Sequence, residues 1–404
     1  MSDQWIDTTW GDIATLHYGK SLKDYGQEPG LARVFGTNGS IGWHSVALVG
    51  EPGLIIGRKG AYRGVHYSTE PFWVIDTAYY LKPKVPLDLR WAYYALLDYD
   101  VNNIDDGSPI PSTTRDAFYF APVKLPPFEQ QQRIAAMLDA LDAKIEHNRQ
   151  MTATLEETAR ALFQSWFVDF DPVHAKAEGR DPGLPADIAA LFPDSFGDDG
   201  LPEGWREGTL DLIADVNPES WSNRIRPDQV EYLDLANTKF GIIESTAAFQ
   251  WSDAPSRARR VARVGDSIIG TVRPGNGSYA YISRDGLTVS TGFAVLRSKM
   301  PTYRDAIYIA ATTPQNIERM TVLAAGHGGA YPAINSDVVG QSSFPVVPDK
   351  LMTAFSERAV AARSKIEHLK RESATLAELR DTLLPRLISG ELRVPALAHE
   401  VAAA

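Results

Sequence analysis

KIEHNRQMTATLEETARAL at residues 144–162 returns as KIEHLKRESATLAELRDTL at residues 365–383. A slide of 221 residues aligns the two without a gap, and nine of nineteen positions are identical. At background residue frequencies about one match is expected, so the repeat is a duplication. The offset holds upstream, where Pro111 meets Pro332, Asp116 meets Asp337 and Pro127 meets Pro348. Farther toward each N-terminus the match fades, although Gly53-Leu-Ile-Ile-Gly57 still resembles Gly265-Asp-Ser-Ile-Ile-Gly270. Each half therefore reads as a divergent head followed by a better-preserved stem.

The stems are helical. Glu129 to Phe167 contains neither proline nor glycine, with Pro126-Pro127 before it and Asp171-Pro172 after it as stops. Apolar residues recur at alternating spacings of four and three: Ile134, Leu138, Leu141, Ile145, then Leu155, Ala159, Leu162 and Trp166. Asn148 and Thr152 interrupt this heptad seam. The second stem puts Phe355, Ala359, Ala362, Ile366, Leu369, Leu376, Leu383 and Leu387 at the equivalent places. Roughly 40 residues at ~1.5 Å each make a rod of ~60 Å. Two such rods are expected to bury their stripes on each other, antiparallel, with a head at each end. Pro385 is expected to kink or end the second helix near Leu383.

Composition narrows the chemistry. There is no cysteine, which removes disulfides, thiolate metal sites and thiol nucleophiles. Met1 is followed by SDQWIDTTW, which lacks the basic and apolar regions of a signal peptide, and no run approaches ~18 apolar residues. A cytoplasmic chain without membrane contact is expected. The net charge of −11 argues against nucleic acid when taken whole. Its distribution does not: residues 171–205 carry eight acids and two bases, whereas residues 206–347 balance at 14 and 14. The acidic stretch reads as a solvated connector with one short helix at Ala186–Phe192.

The heads mix short β-like runs with turns and a helix each, an α+β pattern of curved, largely antiparallel sheets. Their polar residues gather in loops. The first head offers Lys20, Arg58, Lys59 and Arg63, then Ser108, Thr113, Thr114 and Arg115 just before its stem. The second offers Arg257, Arg273, Asn276 and Ser278, then His327, Tyr331 and Asn335. Hydroxyls and amides donate to phosphates, and arginine addresses guanine in the major groove. One such cluster is an ordinary polar loop; two at corresponding places in duplicated heads point to a shared ligand.

No catalytic signature accompanies them. GxxxxGK[ST] and HExxH are absent. Asn217-Pro218-Glu219-Ser220 begins like an amino-methyltransferase motif but lacks its second proline and aromatic residue. His147 and His368 fall on polar faces of the stems, with no metal partner at ligand spacing.

LPPFEQQQRIAAMLDALDAKIEHN at 125–148, ALFQSWFVDFDPV at 161–173 and LLPRLISGELRV at 383–394 resemble the conserved regions of Type I restriction–modification specificity subunits. Pro202-Glu203-Gly204-Trp205 is similar to the phrase that opens that family's second head. The resemblance implies two similar target-recognition domains, residues 1–124 and 205–347, each followed by a long conserved helix, residues 125–170 and 348–394. The acidic linker covers 171–204 and a tail 395–404. The helices would pair as an antiparallel coiled coil with pseudo-twofold symmetry, seamed by the residues above. The resemblance further implies a subunit without catalysis or cofactor that binds an asymmetric, bipartite double-stranded DNA sequence. Two methylation subunits would bring S-adenosylmethionine, and two restriction subunits, where present, ATP and Mg2+. A protein-binding coiled-coil adaptor without DNA readout remains open as the alternative, favoured by the acidic total.

Overall fold

The computed structural model describes residues 4–104, 111–326 and 332–395. They form two compact units. One holds the described residues up to Arg149 together with those from Arg371; the other is Gln150–Lys370. Both long helices, Phe128–Phe167 and Asp349–Ser389, are therefore shared, each giving its first half to its own head's unit and its second half to the other. Among the described residues no helix is long and apolar enough to cross a membrane.

In the first unit a four-stranded antiparallel sheet runs in the order Ala14–Tyr18, Ala78–Pro83, Gly53–Gly57, Val65–Ser68. A smaller sheet runs Gly39–His44, Ala32–Gly36, Phe72–Val74, its last pair parallel. The run Gly53-Leu-Ile-Ile-Gly57 explains how the two fit. Alternate strand residues face opposite sides, and Leu54 and Ile56 enter the core beneath helix Leu89–Tyr99 while Ile55 enters the core around Phe35, Phe72 and Val74. Each fully buried side chain of this kind stabilises by about 1.5–3 kcal/mol.

The second unit repeats the plan. Its first sheet runs Ala214–Val216, Phe293–Ser298, Ser267–Gly270, Tyr279–Tyr281, and Ile268 and Ile269 again feed separate cores. Its other sheet, in the order Ala247–Gln250, Gln229–Leu233, Leu287–Ser290, Ala258–Ala262, keeps the parallel pair and adds a strand. Helix Pro314–Gly326 follows helix Arg304–Ala311.

Helix halves pair antiparallel within each unit. In the first, Arg380 donates to Asp142 (2.9 Å) and Asn148 to Glu372 (2.7 Å), while Lys144 of the repeated tetrapeptide reaches Glu372 at 3.3 Å. In the second, Lys370 faces Glu156 at 3.7 Å and Phe163 meets Phe355. The apolar stripe serves the heads as much as the partner helix. Ile134 and Leu138 are buried in the first head's core, and Phe355 in the second's. Ile366 and Leu369 are buried; Leu141, Ile145, Leu155, Leu162, Leu376 and Leu383 are half-buried. Asn148 is enclosed in the stripe rather than marking its edge.

Two expectations need correction. Pro385 does not end the second helix, which continues to Ser389. Leu387 is fully buried in the first head's core with Leu383, Leu384 and Ile388 packed around it, burial that outweighs the ~3 kcal/mol cost of an internal proline. The acidic stretch is not merely a solvated connector. Its helices Asp171–Ala177 and Ala186–Ala189 bring Val173, Ile188 and Phe192 into the second unit's core, where Trp166, Phe167 and Trp205 wait. Its acidic side chains are exposed, while its apolar residues are spaced to reach inward.

Where head helix meets stem, the units use opposite charges. Arg90, second residue of helix Leu89–Tyr99, donates to Asp139, and the Tyr94 hydroxyl lies 2.8 and 2.7 Å from Asp139 and Asp142. Burial, together with these two carboxylates, pushes the Tyr94 phenol far above its ordinary pKa. In the second unit the second residue of the corresponding helix is Asp305, and Arg363, 221 positions after Asp142, donates to it at 3.0 Å. The Arg363 guanidinium also stacks on Tyr281 and Tyr308, 4.3 and 4.9 Å from their ring centres.

Candidate nucleic-acid interface

After the buried strand of each head the chain turns through a loop pinned by the residues that precede the stem. The pinning is the same in both heads. Gly57 N donates to Gly64 O (2.8 Å), and Gly270 N to Ser278 O (2.7 Å). Thr113 N donates to Arg58 O and Ile334 N to Thr271 O, both at 2.9 Å. Gly60 N donates to Pro111 O (3.1 Å) and Arg273 N to Pro332 O (2.8 Å). The clamping residues 111 and 332, and 113 and 334, keep the offset of 221. Gly57 and Gly270 are dictated by close approach, since a Cβ would sit 2.7 Å from Thr37 O in one and 2.8 Å from Ser278 O in the other.

This common frame carries different side chains. Arg58, Lys59 and Gly60 of the first loop correspond to Thr271, Val272 and Arg273 of the second. Gly60 has φ +125°, open to glycine alone, whereas Arg273 takes the left-handed conformation at φ 46°. That costs roughly 1–3 kcal/mol and fixes where the exposed Arg273 projects.

Several sequence-predicted contacts hold the loops together instead of lining their surface. Arg63 is 2% exposed and donates Nη2 to Asn102 O at 2.8 Å, bracing the loop from beneath. Thr113 is wholly buried, and Ser278 is buried with Oγ donating to Leu235 O. Thr114 and Asn335 cap the helices Arg115–Phe120 and Ser336–Gly340. Lys20, Lys59, Arg115, Arg257, Arg273 and Asn276 are exposed and Arg58 half-buried. Ser108, His327 and Tyr331 lie outside the described residues.

The structure unites Arg58 and Arg115 around a residue that sequence reasoning passed over. Their guanidinium carbons lie 4.8 and 4.6 Å from the ring centre of Tyr18, which is itself exposed at the end of strand Ala14–Tyr18. Arg58 also donates to Asp76 O (3.1 Å) and flanks Tyr79, whose hydroxyl burial pushes up to about 12. In the second head Arg226 and Arg259 stack on Trp251, at 5.6 and 4.6 Å, just past the end of strand Ala247–Gln250. No local spacing announces either group, because the partners come from separate loops, strands and a helix.

Among the described residues no group of acids and histidines is placed to hold a metal. The arrangement presents cations, aromatic faces and backbone amides, which suits an acceptor-rich polyanion.

Residues 5–157 match the family model described as Type I restriction modification DNA specificity domain. The chain is 26% identical over 334 residues to the Type I restriction enzyme HindI specificity subunit of Haemophilus influenzae, covering 70% of this chain and 71% of that one. It is 23% identical over 308 residues to the MjaIX specificity subunit of Methanocaldococcus jannaschii, covering 74% and 66%. A crystal structure of a Type I restriction–modification S subunit from M. genitalium superposes with a TM-score of 0.60 over 98% of both chains, at 18% identity, a likeness of fold.

Proposed function

We infer that this chain is a specificity subunit of the Type I restriction–modification kind, that it selects the DNA sequence on which its complex acts, and that it contributes no bond chemistry of its own. The observation that carries this reading is the pair of identically pinned loops with unlike side chains. A common frame with divergent contacts is what two readers of two different half-sites require.

On this reading the heads bind an asymmetric, bipartite duplex. Two methylation subunits dock on the chain and supply S-adenosylmethionine and the pocket into which a target adenine is flipped. Restriction subunits, where present, bring ATP and Mg2+. The assembly works in the cytoplasm, where its DNA is. The chain's acidic total is compatible with partners that contribute much of the phosphate contact.

The test is the salt dependence of DNA affinity for this chain reconstituted with its methylation subunits. A reader's log Kd rises linearly with log salt, about 0.9 per phosphate contact, and its specific site outcompetes random duplex. A flat response with no preference identifies a protein-binding adaptor instead.

A further inference from the structure

We propose that Arg58, Arg115 and Tyr18 form a base-reading triad in the first head, and that it reads guanine in the half-site assigned to that head. The proposal rests on the DNA-reading function above and names the ligand chemistry of one loop.

Three observations carry it. The two guanidinium groups share one aromatic ring, at 4.8 and 4.6 Å, which attracts each of them through its electron-rich face. Among the described residues neither arginine is salt-bridged to a carboxylate, while Arg90, Arg263, Arg284, Arg297, Arg363 and Arg380 all are. Two like charges held on one exposed ring repel, and an incoming acceptor relieves that repulsion.

The geometry is also prepared before binding. Arg58 lies in the glycine-bounded loop, its backbone carbonyl accepts from Thr113 N and its Nη1 is anchored on Asp76 O. Arg115 starts the helix capped by Thr114. A rigidly aimed guanidinium forms two hydrogen bonds to O6 and N7 of guanine with little ordering cost. The second head is built otherwise at this place. Thr271 replaces Arg58, and Ser336, which takes the place of Arg115, is buried and accepts from Arg260 at 3.1 Å. Guanine reading by this triad thus belongs to the first head alone. Tyr18 is a positioning residue: it holds the arginines and touches no base in this scheme.

The experiment uses the full chain in complex with its methylation subunits, with methylation measured on a library of duplexes randomised through both half-sites. Arg58→Gln or Arg115→Gln is expected to relax discrimination at one guanine of one half-site by roughly 5- to 150-fold. Reading of the other half-site stays intact, which also certifies a folded complex. Tyr18→Ala is expected to relax the same position, and Tyr18→Phe to restore it. Uniform weakening with the motif unchanged identifies phosphate contacts and overturns the triad, as does an unchanged motif in all four variants. Absence of any preferred sequence for the unmodified complex overturns the DNA-reading function itself, a result distinct from either.

Discussion

The two units solve one docking problem with opposite charges. In the first, the head helix presents Arg90 to Asp139 of the stem and the Tyr94 hydroxyl to Asp139 and Asp142; in the second, it presents Asp305 to Arg363. The sheets with a parallel pair differ likewise. Arg33, paired with Phe72, stacks on Trp43 in the first head, while Glu231, paired with Leu287 at the corresponding place, takes Arg284 in the second. Duplication preserved backbone register while charge at matching positions drifted in compensated sets. The frame is thus constrained by hydrogen-bond geometry, and polarity is free provided each partner changes too.

The comparison breaks most sharply at the most enclosed pair. Arg363 and Asp305 expose 13% and 5% of their side chains. Removing either leaves an uncompensated buried charge, so Arg363→Ala or Asp305→Ala is expected to cost about 3–5 kcal/mol of unfolding free energy. Urea titration followed by amide exchange in helix Arg304–Ala311 reads the loss; an effect below 1 kcal/mol denies the pair its role. Replacing both by apolar residues recovers most of it.

A second contrast lies in the stems. Asn148 is buried, with its Oδ1 unpartnered among the described residues, while the position 221 residues on is the buried apolar Leu369. Asn148→Leu is expected to stabilise by about 1–2 kcal/mol while relaxing the register, since a polar residue at such a seam trades stability for specificity. A higher Tm together with mixed oligomers in light scattering is the expected signature. A loss of stability makes Asn148 a net contributor instead.

Arg90→Met is expected to cost less, about 1 kcal/mol, because solvent reaches both partners of Arg90–Asp139 and screens them. Its effect shrinks with added salt, whereas that of Arg363→Ala persists; equal salt response in both would erase the distinction between units.

The smallest effect is a titration. Arg284 holds Glu231 down to about 2 against an ordinary 4.5. A depressed folded-state value means that the interaction's stability is present above about pH 4.5 and lost as pH falls toward 2. Carboxyl NMR of Glu231 should report that value and return toward 4.5 in Arg284→Ala. An unperturbed midpoint in the unmodified chain removes the ion pair from the account.

The sequence disclosed the duplicated plan because the stems kept their heptads, and heptads are local. It also disclosed the heads' buried strands, since Leu54–Ile56 and Ile268–Ile269 are short apolar runs close to glycine. It did not disclose that each stem's second half serves the other head. The same apolar stripe satisfies a partner helix or a head, and Phe163, Trp166 and Leu387 choose only in three dimensions. The candidate interface was legible by residue type but not by exposure. Arg63 and Arg58 stand five residues apart in one polar loop, yet one is sealed beneath it and the other stacks on Tyr18. Cation–aromatic stacks join residues from separate elements and leave no trace in spacing.

One frame carrying two readers of different sequence leaves a distinctive mark on methylated DNA. Mapping adenine methylation across the genome of cells that express this chain with its methylation subunits tests it most directly. A single asymmetric motif of two short specified segments separated by unspecified bases is expected, absent when the chain is deleted. A continuous motif, a palindrome built from one repeated half, or a pattern unchanged by the deletion contradicts it.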